Sequence, residues 1–201
     1  MDRKLLIATN NQGKVAELQD LIADFPIELL SLADFPAVVE VDETGSTFAE
    51  NAELKAAGYA RQTSSFALAD DSGLEVDALD GRPGVLSARY GGEATTFAEK
   101  ISMLIDEMKA AESDERRARF VCSISIADTK GTILFTADGV CKGRIADSPR
   151  GAGGFGYDPL FIPDGFAQTF GELDRSTKQT ISHRSRAFQQ IIPFLRHFKL
   201  G

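Results

Sequence analysis

The chain of 201 residues is long enough to bury a substantial core, and its 43% hydrophobic and 26% charged residues are typical of a globular protein. Its formal net charge of −8 argues against a protein that coats nucleic acid, because such proteins normally carry a basic face. No apolar run approaches the roughly 20 residues that span a bilayer, so no membrane association is expected. The apolar run at residues 5–8 is too short for a signal peptide, which favours the cytoplasm.

A polar loop near the N-terminus is suited to binding phosphate. Residues 4–8 predict a buried strand, and residues 15–22 have the spacing of a helix with one apolar face. Between them lies the polar turn Thr9-Asn10-Asn11-Gln12-Gly13-Lys14. Free amides and the positive end of the helix dipole would favour an anion there. The loop is not a Walker motif, since Val15 follows Lys14, and an ordinary strand-to-helix turn remains the alternative.

A second strand and a capped helix follow. Residues 27–32 predict the strand, and Thr47-Phe48-Ala49-Glu50 is a capping box that predicts a helix from about residue 48 to residue 62. Asn51 and Lys55 would stand four apart on one face of that helix. A lysine at such a position is usually solvated, so it is weak evidence for a site.

Two adjacent carboxylates, Asp70 and Asp71, stand out within residues 67–76. We expect a strand up to the acids, a Ser-Gly turn, and a second strand over residues 74–78. Adjacent like charges raise each other's pKa unless a cation lies between them. Mg²⁺ prefers oxygen ligands and often binds one or two carboxylates together with substrate phosphates. The pattern therefore favours either a magnesium and phosphate site or a simple hairpin turn.

The middle of the chain predicts a helix and a hairpin. The helix covers residues 96–111, and strands 119–127 and 132–140 alternate around a short turn. Cys122 and Cys141 lie in apolar, strand-like runs without metal-ligand spacing or a disulfide framework. They are expected to be buried free thiols.

A glycine-rich loop covers residues 149–159 and contains two aromatic residues, Phe155 and Tyr157. Glycine allows close backbone approach to a ligand, and the interleaved aromatics suggest a stacking platform for a flat ring. The alternative is a mobile loop whose aromatics are part of the core. Composition alone does not decide between them.

The C-terminal helix is expected over about residues 182–199, with a serine as its N-cap and a kink or break at Pro193. His183 and Arg184 would stand at its start. Together with Lys178 they would form a second locus for an anion or a carbonyl oxygen.

Taken in order, these motifs resemble those of the inosine triphosphate pyrophosphatase family, also called XTP/dITP diphosphatases. The matching segments are Thr9-Asn10-Asn11-Gln12-Gly13-Lys14, Glu43-Thr44-Gly45, Thr47-Phe48-Ala49-Glu50-Asn51-Ala52, Ala69-Asp70-Asp71-Ser72-Gly73-Leu74, Ser87-Ala88-Arg89-Tyr90, Gly154-Phe155-Gly156-Tyr157-Asp158-Pro159 and Ile181-Ser182-His183-Arg184. Each segment alone is a weak signal. The ordered set, which spans nearly the whole chain, is specific.

The resemblance implies Mg²⁺-dependent hydrolysis of ITP, dITP and XTP to the monophosphate and pyrophosphate, which clears deaminated purines from the nucleotide pool. It also implies an α/β fold in which residues 1–201 form a single elongated two-lobed domain. A mixed β-sheet would be flanked by helices, with an active-site cleft between the lobes. A homodimer is expected.

The resemblance also assigns roles to residues. Asp71 would accept a proton from the attacking water, and Glu43 and Asp71 would bind Mg²⁺. The loop from Thr9 to Lys14 and Ser72 would hold chiefly the phosphates, and residues 155–158 would enclose the base. The full set of implied substrate-binding residues is Thr9, Asn10, Asn11, Gln12, Gly13, Lys14, Ser72, Phe155, Gly156, Tyr157, Asp158, Lys178, His183 and Arg184, with Arg89 and Lys55 as further candidates.

Base selection has a physical explanation. Deaminated purines carry an acceptor oxygen at position 6, where adenine carries a donor amino group. We predict that Arg184 or His183 donates to that oxygen, because a site built to hydrogen-bond one substrate rejects the analogue that leaves its donors unpaired.

Two alternatives remain open. A related Maf-like pyrophosphatase would act on modified pyrimidines, although the Phe155-to-Asp158 and Ser182-to-Arg184 motifs favour a purine enzyme. A nucleotide-binding regulator without catalysis would not need a proton acceptor beside its metal. Magnesium-dependent release of pyrophosphate separates the enzyme from the regulator.

Overall fold

A computed structural model describes residues 4–92, 94–111 and 113–197. Its strands are β1 (Lys4–Ile7), β2 (Glu28–Ser31), β3 (Ala67–Val76), β4 (Arg117–Ala127), β5 (Ile133–Ile145) and β6 (Phe161–Pro163). Its α-helices are α1 (Gln12–Ile22), α2 (Phe48–Thr63), α3 (Phe97–Ala110), α4 (Arg175–Ile181) and α5 (His183–His197). None of these helices has the length and apolar character needed to cross a membrane.

The six strands form one mixed sheet in the order β2-β1-β3-β4-β5-β6. β1 is parallel to both of its neighbours, with Leu6 opposite Leu30 of β2 and Ala67 of β3. β5 and β6 are antiparallel. The predicted α/β class with a mixed sheet and flanking helices is therefore confirmed. β1 lies between two parallel neighbours and is covered on both faces, so its sequence is a continuous apolar run.

The chain divides into two compact units. The first comprises the described residues of Met1–Asp71, Cys122–Gly139 and Arg184–Gly201. Its core lies on both faces of β1, because neighbouring strand residues point in opposite directions. Leu5 packs with residues of α1 and α5, whereas Leu6 packs with residues of α2.

The second unit comprises the described residues of Ser72–Val121 and Val140–His183. Its core joins Leu74 of β3, Leu104 of α3, Phe120 of β4 and Phe161 of β6. The aromatic rings of Phe120 and Phe161 pack edge to face, with their centroids 4.7 Å apart. Such pairs add stabilisation beyond simple burial of area.

Several sequence predictions are confirmed. α2 begins at Thr47, which accepts a hydrogen bond from the Glu50 amide in a complete capping box. The hairpin of β4 and β5 turns where Gly131 N donates to Asp128 O at 2.8 Å. Both cysteines are buried and free.

Three local predictions are wrong. β3 runs without interruption through residues 70–73, so there is no Ser-Gly turn after the acids. α1 already begins at Gln12, because Asn11 caps it and draws Gly13 and Lys14 into its first turn. The C-terminal region contains two helices, and Pro193 lies inside α5 without ending it. The predicted end at residue 199 lies outside the described residues.

Candidate active site

The two adjacent acids of β3 lie in different surroundings. Consecutive strand residues alternate between the faces of a sheet. Asp70 is completely buried, and Asp71 is 5% exposed. Within the first unit, each carboxylate has its own set of cationic partners, so the two are not held in a single shared site.

Asp70 is enclosed by two cations. Its Oδ2 atom accepts hydrogen bonds from Arg184 Nη2 at 2.8 Å and Nε at 3.1 Å, and Lys14 Nζ lies 3.1 Å from the same oxygen. Burial alone would raise the pKa of Asp70, but the charges of Lys14 and Arg184 outweigh it and hold the pKa well below its ordinary range. Arg184 also pairs with Glu17 of α1, so its guanidinium joins α5 to both α1 and β3.

The predicted phosphate loop is the capped start of α1. Asn11 Oδ1 accepts from the amides of Gly13 at 3.0 Å and Lys14 at 3.2 Å. Thr9 Oγ1 in turn accepts from the Asn11 amide at 3.2 Å. Asn10 and Gln12 are exposed at this end. The loop therefore presents polar side chains and the positive end of a helix dipole next to the Lys14 ammonium.

Asp71 belongs to a second cluster, formed with α2 and the segment before it. Lys55 Nζ donates to Glu43 Oε1 at 2.5 Å and to Asp71 Oδ1 at 3.2 Å. Asn51 Nδ2 donates to Asp71 Oδ2 at 3.2 Å, while Asn51 Oδ1 accepts from the Gly45 amide at 2.7 Å. Both side chains project from one face of α2, four residues apart, as predicted.

The electrostatics of this cluster keep Asp71 basic. Burial raises the pKa of Asp71, and the nearby Glu43 adds to that rise, although Lys55 opposes it. For Lys55, burial would lower the pKa, but the charges of Asp71, Asp70 and Glu43 outweigh burial and raise it. Asp71 is thus a carboxylate with raised proton affinity next to a permanent cation, which suits a general base.

The Glu43 and Asp71 carboxylates also fit a hard divalent cation. Both lie within hydrogen-bond distance of Lys55 Nζ, so their oxygens converge on one cationic position. Among the residues that the structure describes, no group of three or more His, Cys, Asp or Glu side chains forms a complete metal cage. Two converging carboxylates nevertheless match Mg²⁺, which commonly takes its remaining ligands from water and substrate phosphates.

The second unit contains a separate polar cluster at the glycine-rich loop. Asp158 Oδ2 accepts from Lys178 Nζ at 2.5 Å and from the Phe155 amide at 2.7 Å. Lys178 Nζ lies 4.8 Å from the centre of the Phe155 ring, in a cation–π arrangement. Gly154 has φ +69°, and a Cβ atom there would lie 1.9 Å from Asp158 Oδ2. Only glycine allows the backbone to pass so close to this carboxylate.

Other predicted residues of the second unit have varied surroundings. Tyr157 is buried, and its hydroxyl donates to Ser87 O at 3.1 Å. The His183 ring is buried and stacks on Phe120 with a centroid distance of 4.7 Å. Ser72 is half-buried on β3, and Gly156 adopts φ +65°. The roles predicted for these residues remain predictions.

The structure brings some predicted residues together and adds others. In the first unit, Lys14 meets Arg184 at Asp70, and Glu43 meets Asp71 at Lys55. In the second unit, Phe155 and Lys178 meet at Asp158. Sequence reasoning considered Asp70 only together with Asp71, as a possible magnesium and phosphate site, and assigned no role to Asn51 or Glu17. The alternation of strand residues could have shown that Asp70 and Asp71 have separate partners, whereas nothing in the sequence connects Glu17 to Arg184.

Comparison with known proteins places the chain in a family. The model of the Ham1 family matches residues 5–194. A protein of Desulforamulus reducens named dITP/XTP pyrophosphatase is 47% identical over 96% of this chain and 95% of its own length. A protein of the same name from a Nostoc species is 46% identical, over 96% of this chain and 94% of its own length. The solved structure of a HAM1 protein from Coxiella burnetii is 41% identical and superposes with a TM-score of 0.89, covering 98% of this chain and all of that one. With a family model that matches almost its full length and relatives at this level of identity, the chain belongs to the Ham1 family.

Proposed function

We propose that this protein hydrolyses the deaminated purine nucleoside triphosphates dITP, ITP and XTP to the monophosphate and pyrophosphate. The observation that carries this proposal is the cluster of Glu43, Lys55 and Asp71, in which a carboxylate of raised pKa stands beside a second carboxylate and a buried cation. Relatives named dITP/XTP pyrophosphatase support the choice of substrate.

Asp71 is the residue proposed to accept the proton from the attacking water. Its raised pKa increases its affinity for that proton, while the charge of Lys55 opposes the rise and favours the ionised form. Asn51 holds Oδ2 through a hydrogen bond, which fixes the orientation of the carboxylate. Attack on phosphorus requires positioning and charge neutralisation rather than a covalent enzyme intermediate.

Mg²⁺ is the proposed cofactor, with Glu43 and Asp71 as its protein ligands. When bound, the ion would neutralise phosphate oxygens and orient the attacking water. Lys55 neutralises part of the combined charge of the two carboxylates and holds them in place.

The start of α1 is the proposed phosphate-binding element. Lys14 carries a positive charge there, and its side chain is 13% exposed while its ammonium pairs with Asp70. The loop from Thr9 to Gly13 supplies polar side chains, and Ser72 is proposed to add a hydroxyl. A triphosphate carries enough negative charge to compete with Asp70 for the Lys14 ammonium.

The glycine-rich loop of the second unit is proposed to recognise the base, through Phe155, Gly156 and Asp158 together with Lys178 and His183, with the buried Tyr157 as part of the same loop. The Phe155 ring is the natural stacking surface, since it is only half-buried. Arg184 was predicted to read the oxygen at position 6. Because its guanidinium already binds Asp70 and Glu17, we propose that it supports the phosphate-binding cluster as well.

The test measures pyrophosphate release from ITP, dITP, XTP, ATP and GTP, with Mg²⁺ and with chelator. Fast, Mg²⁺-dependent release from the first three substrates alone is expected. Equal release from all five would retain the chemistry but contradict the proposed base selection. Tight nucleotide binding without any release would contradict the enzyme and favour a regulatory role.

We also propose that the protein is a homodimer that acts in the cytoplasm, where its water-soluble substrates would be found. The proposed contact residues are two large apolar side chains of the second unit, Leu86 and Met103, which are 52% and 38% exposed. Leu86→Glu is expected to weaken the dimer in analytical ultracentrifugation. A monomeric wild-type protein at micromolar concentration would contradict the proposal.

A further inference from the structure

The side chain of Tyr157 is buried, and its single hydrogen-bond donor is already used within the protein. The residue is 3% exposed, and its ring packs edge to face against Phe97, with the centroids 5.6 Å apart. Its hydroxyl donates to the backbone oxygen of Ser87 at 3.1 Å. The ring is therefore enclosed by protein, and the hydroxyl is already used.

The partner of Tyr157 is itself tied to the sheet. Ser87 lies in the short 3₁₀ segment Gly84–Arg89. Its Oγ atom donates to Gly84 O at 2.6 Å and accepts from the Leu74 amide of β3 at 2.9 Å. A hydrogen bond from Tyr157 to Ser87 thus connects the glycine-rich loop to β3 through a single residue.

A buried lysine holds the same segment from α3. Lys100 is 3% exposed, and its Nζ donates to Ala88 O at 2.5 Å. The ammonium also lies 4.8 Å from the centre of the Phe97 ring, which in turn packs on Tyr157. Phe97 is therefore shared between the lysine and the tyrosine, and the three side chains form one packed group.

The glycine-rich loop needs such an attachment. Gly154 and Gly156, on either side of Phe155, both adopt positive φ, so the backbone around this aromatic residue is intrinsically free to take many conformations. Asp158 holds the loop on the Lys178 side, and the Gly153 amide donates to Gly171 O at 2.9 Å. Tyr157 supplies a further attachment, toward Gly84–Arg89.

We propose that Tyr157 is a positioning residue for base recognition and does not itself contact the base, with Ser87 and Lys100 as its supports. The inference rests on the proposed function, because Phe155 and Asp158, which Tyr157 would hold in position, are the residues proposed to bind the base. Selection among purines then depends on the hydrogen bond from Tyr157 to Ser87, in which the base takes no part.

The test compares Tyr157→Phe with Tyr59→Phe. Both substitutions remove one hydroxyl from a buried tyrosine, but Tyr59 belongs to α2 in the first unit, where its hydroxyl accepts from the Val41 amide at 3.4 Å. For Tyr157→Phe we expect the ratio of kcat/KM for dITP to that for dATP to fall about tenfold, the value of one buried hydrogen bond whose acceptor is left unpaired. The ratio for Tyr59→Phe should remain that of the wild type. A parallel loss for both nucleotides, or no change in the ratio, would overturn the inference.

Hydrogen exchange gives a readout that does not depend on activity. In Tyr157→Phe, amide exchange is expected to accelerate in residues 84–89 and 154–158 and nowhere else. Lys100→Met, which keeps the aliphatic stem, should produce a smaller change in the same two segments. Unchanged exchange in Tyr157→Phe would exclude the attachment, whatever the kinetics. A wild-type protein that releases no pyrophosphate from dITP would instead contradict the proposed function, and the exchange experiment would still decide the attachment.

Discussion

On one face of β3 the Asp70 carboxylate is enclosed by Lys14 and Arg184, which together lower its pKa. On the other face Asp71 meets one buried ammonium, an amide and a second carboxylate, and its pKa is raised. The two residues are chemically identical and adjacent. Their surroundings make Asp70 a permanent counter-charge that holds α1 and α5 to the sheet, and make Asp71 a group that can take and release a proton.

The difference shows how a single strand can serve structure and chemistry at the same time. A buried charge is tolerated only when it is paired, and removing one partner leaves the others uncompensated. Asp70 fulfils that structural requirement for Arg184, which is 1% exposed. For Asp71, burial raises the pKa, and the charges of Lys55 and Lys14 offset that rise only in part. Substitutions of these two acids and of the lysines beside them test this difference.

The largest expected effect is on turnover. Asp71→Asn removes the charge and basicity at nearly constant volume, so kcat for dITP should fall by roughly 10³-fold, within the range for general bases. Pyrophosphate release measures the loss, and a thermal melt checks that the fold persists. Asp77→Asn is the matched control, since that side chain is 52% exposed and pairs only loosely with Arg117 at 3.6 Å. An Asp71→Asn variant with wild-type kcat would remove Asp71 from the mechanism.

The second experiment measures stability, to which Asp70 should contribute more than Asp71. Asp70→Asn leaves Lys14 and Arg184 without their buried counter-charge, and the free energy of unfolding should fall by about 3–5 kcal/mol. Asp71→Asn should cost much less, because folding already disfavours the ionised form of Asp71. Urea unfolding at pH 7 measures both. Equal destabilisation by the two substitutions would show that the surroundings of the acids are not as different as described.

The third experiment uses pH. Asp71 must be ionised to accept a proton, so kcat/KM should fall as the pH drops through its raised pKa, above the ordinary value of 3.8. Lys55→Met removes a charge that opposes the rise, so the acid limb should move to higher pH, whereas Lys109→Met on the exposed face of α3 should not move it. An acid limb at or below 3.8 in the wild type would contradict the assignment.

Asp70 and Asp71 should contribute to the pH dependence of the free energy of unfolding with opposite signs. The pKa of Asp70 is lowered, so its contribution is present above the unfolded value near 3.8 and is lost as the pH falls below that value. The raised pKa of Asp71 has the reverse sign, because the folded state binds that proton more readily. Asp70→Asn should therefore flatten the loss of stability below pH 4, and urea titrations from pH 5 to pH 2 would show it. An unchanged slope would exclude Asp70 as the source.

The smallest expected effect concerns binding. Lys14→Ala should raise KM for dITP by about tenfold, and the effect should shrink in high salt because the side chain is partly exposed to solvent. Lys4→Ala removes an exposed lysine that pairs with Glu28 on the neighbouring strand and serves as the control. An unchanged KM in Lys14→Ala would show that the lysine pairs with Asp70 and does not bind the substrate phosphates.

Much of this arrangement could be predicted from local sequence. The capping box at Thr47 fixes the start of α2, and the four-residue spacing then places Asn51 and Lys55 on one face. The ordered motifs identified the family, because order along nearly the whole chain is hard to produce by chance. The spacing alone was weak evidence for a role of Lys55, because its partner Glu43 lies outside the helix in an irregular segment.

Other features depend on contacts that no local pattern encodes. The Ser-Gly pair after Asp71 suggested a turn, but β3 continues because tertiary pairing and the hydrogen bond of Ser87 to Leu74 keep it extended. Pro193 predicted a kink or a break in the last helix. The break does not occur, because packing of the helix on the core of the first unit outweighs the lost hydrogen bond. Burial of the Tyr157 ring likewise follows from the position of Phe97, which the sequence separates from it by 60 residues.

The reactivity of the two buried cysteines can report local unfolding of the protein. Cys122 belongs to the first unit and Cys141 to the second, and they are 0% and 2% exposed. Burial raises the pKa of the Cys122 thiol, so neither peroxide nor alkylating reagents should attack it while its unit stays folded. Mass spectrometry of the native chain after timed alkylation would therefore time the opening of each half separately, without introducing any label.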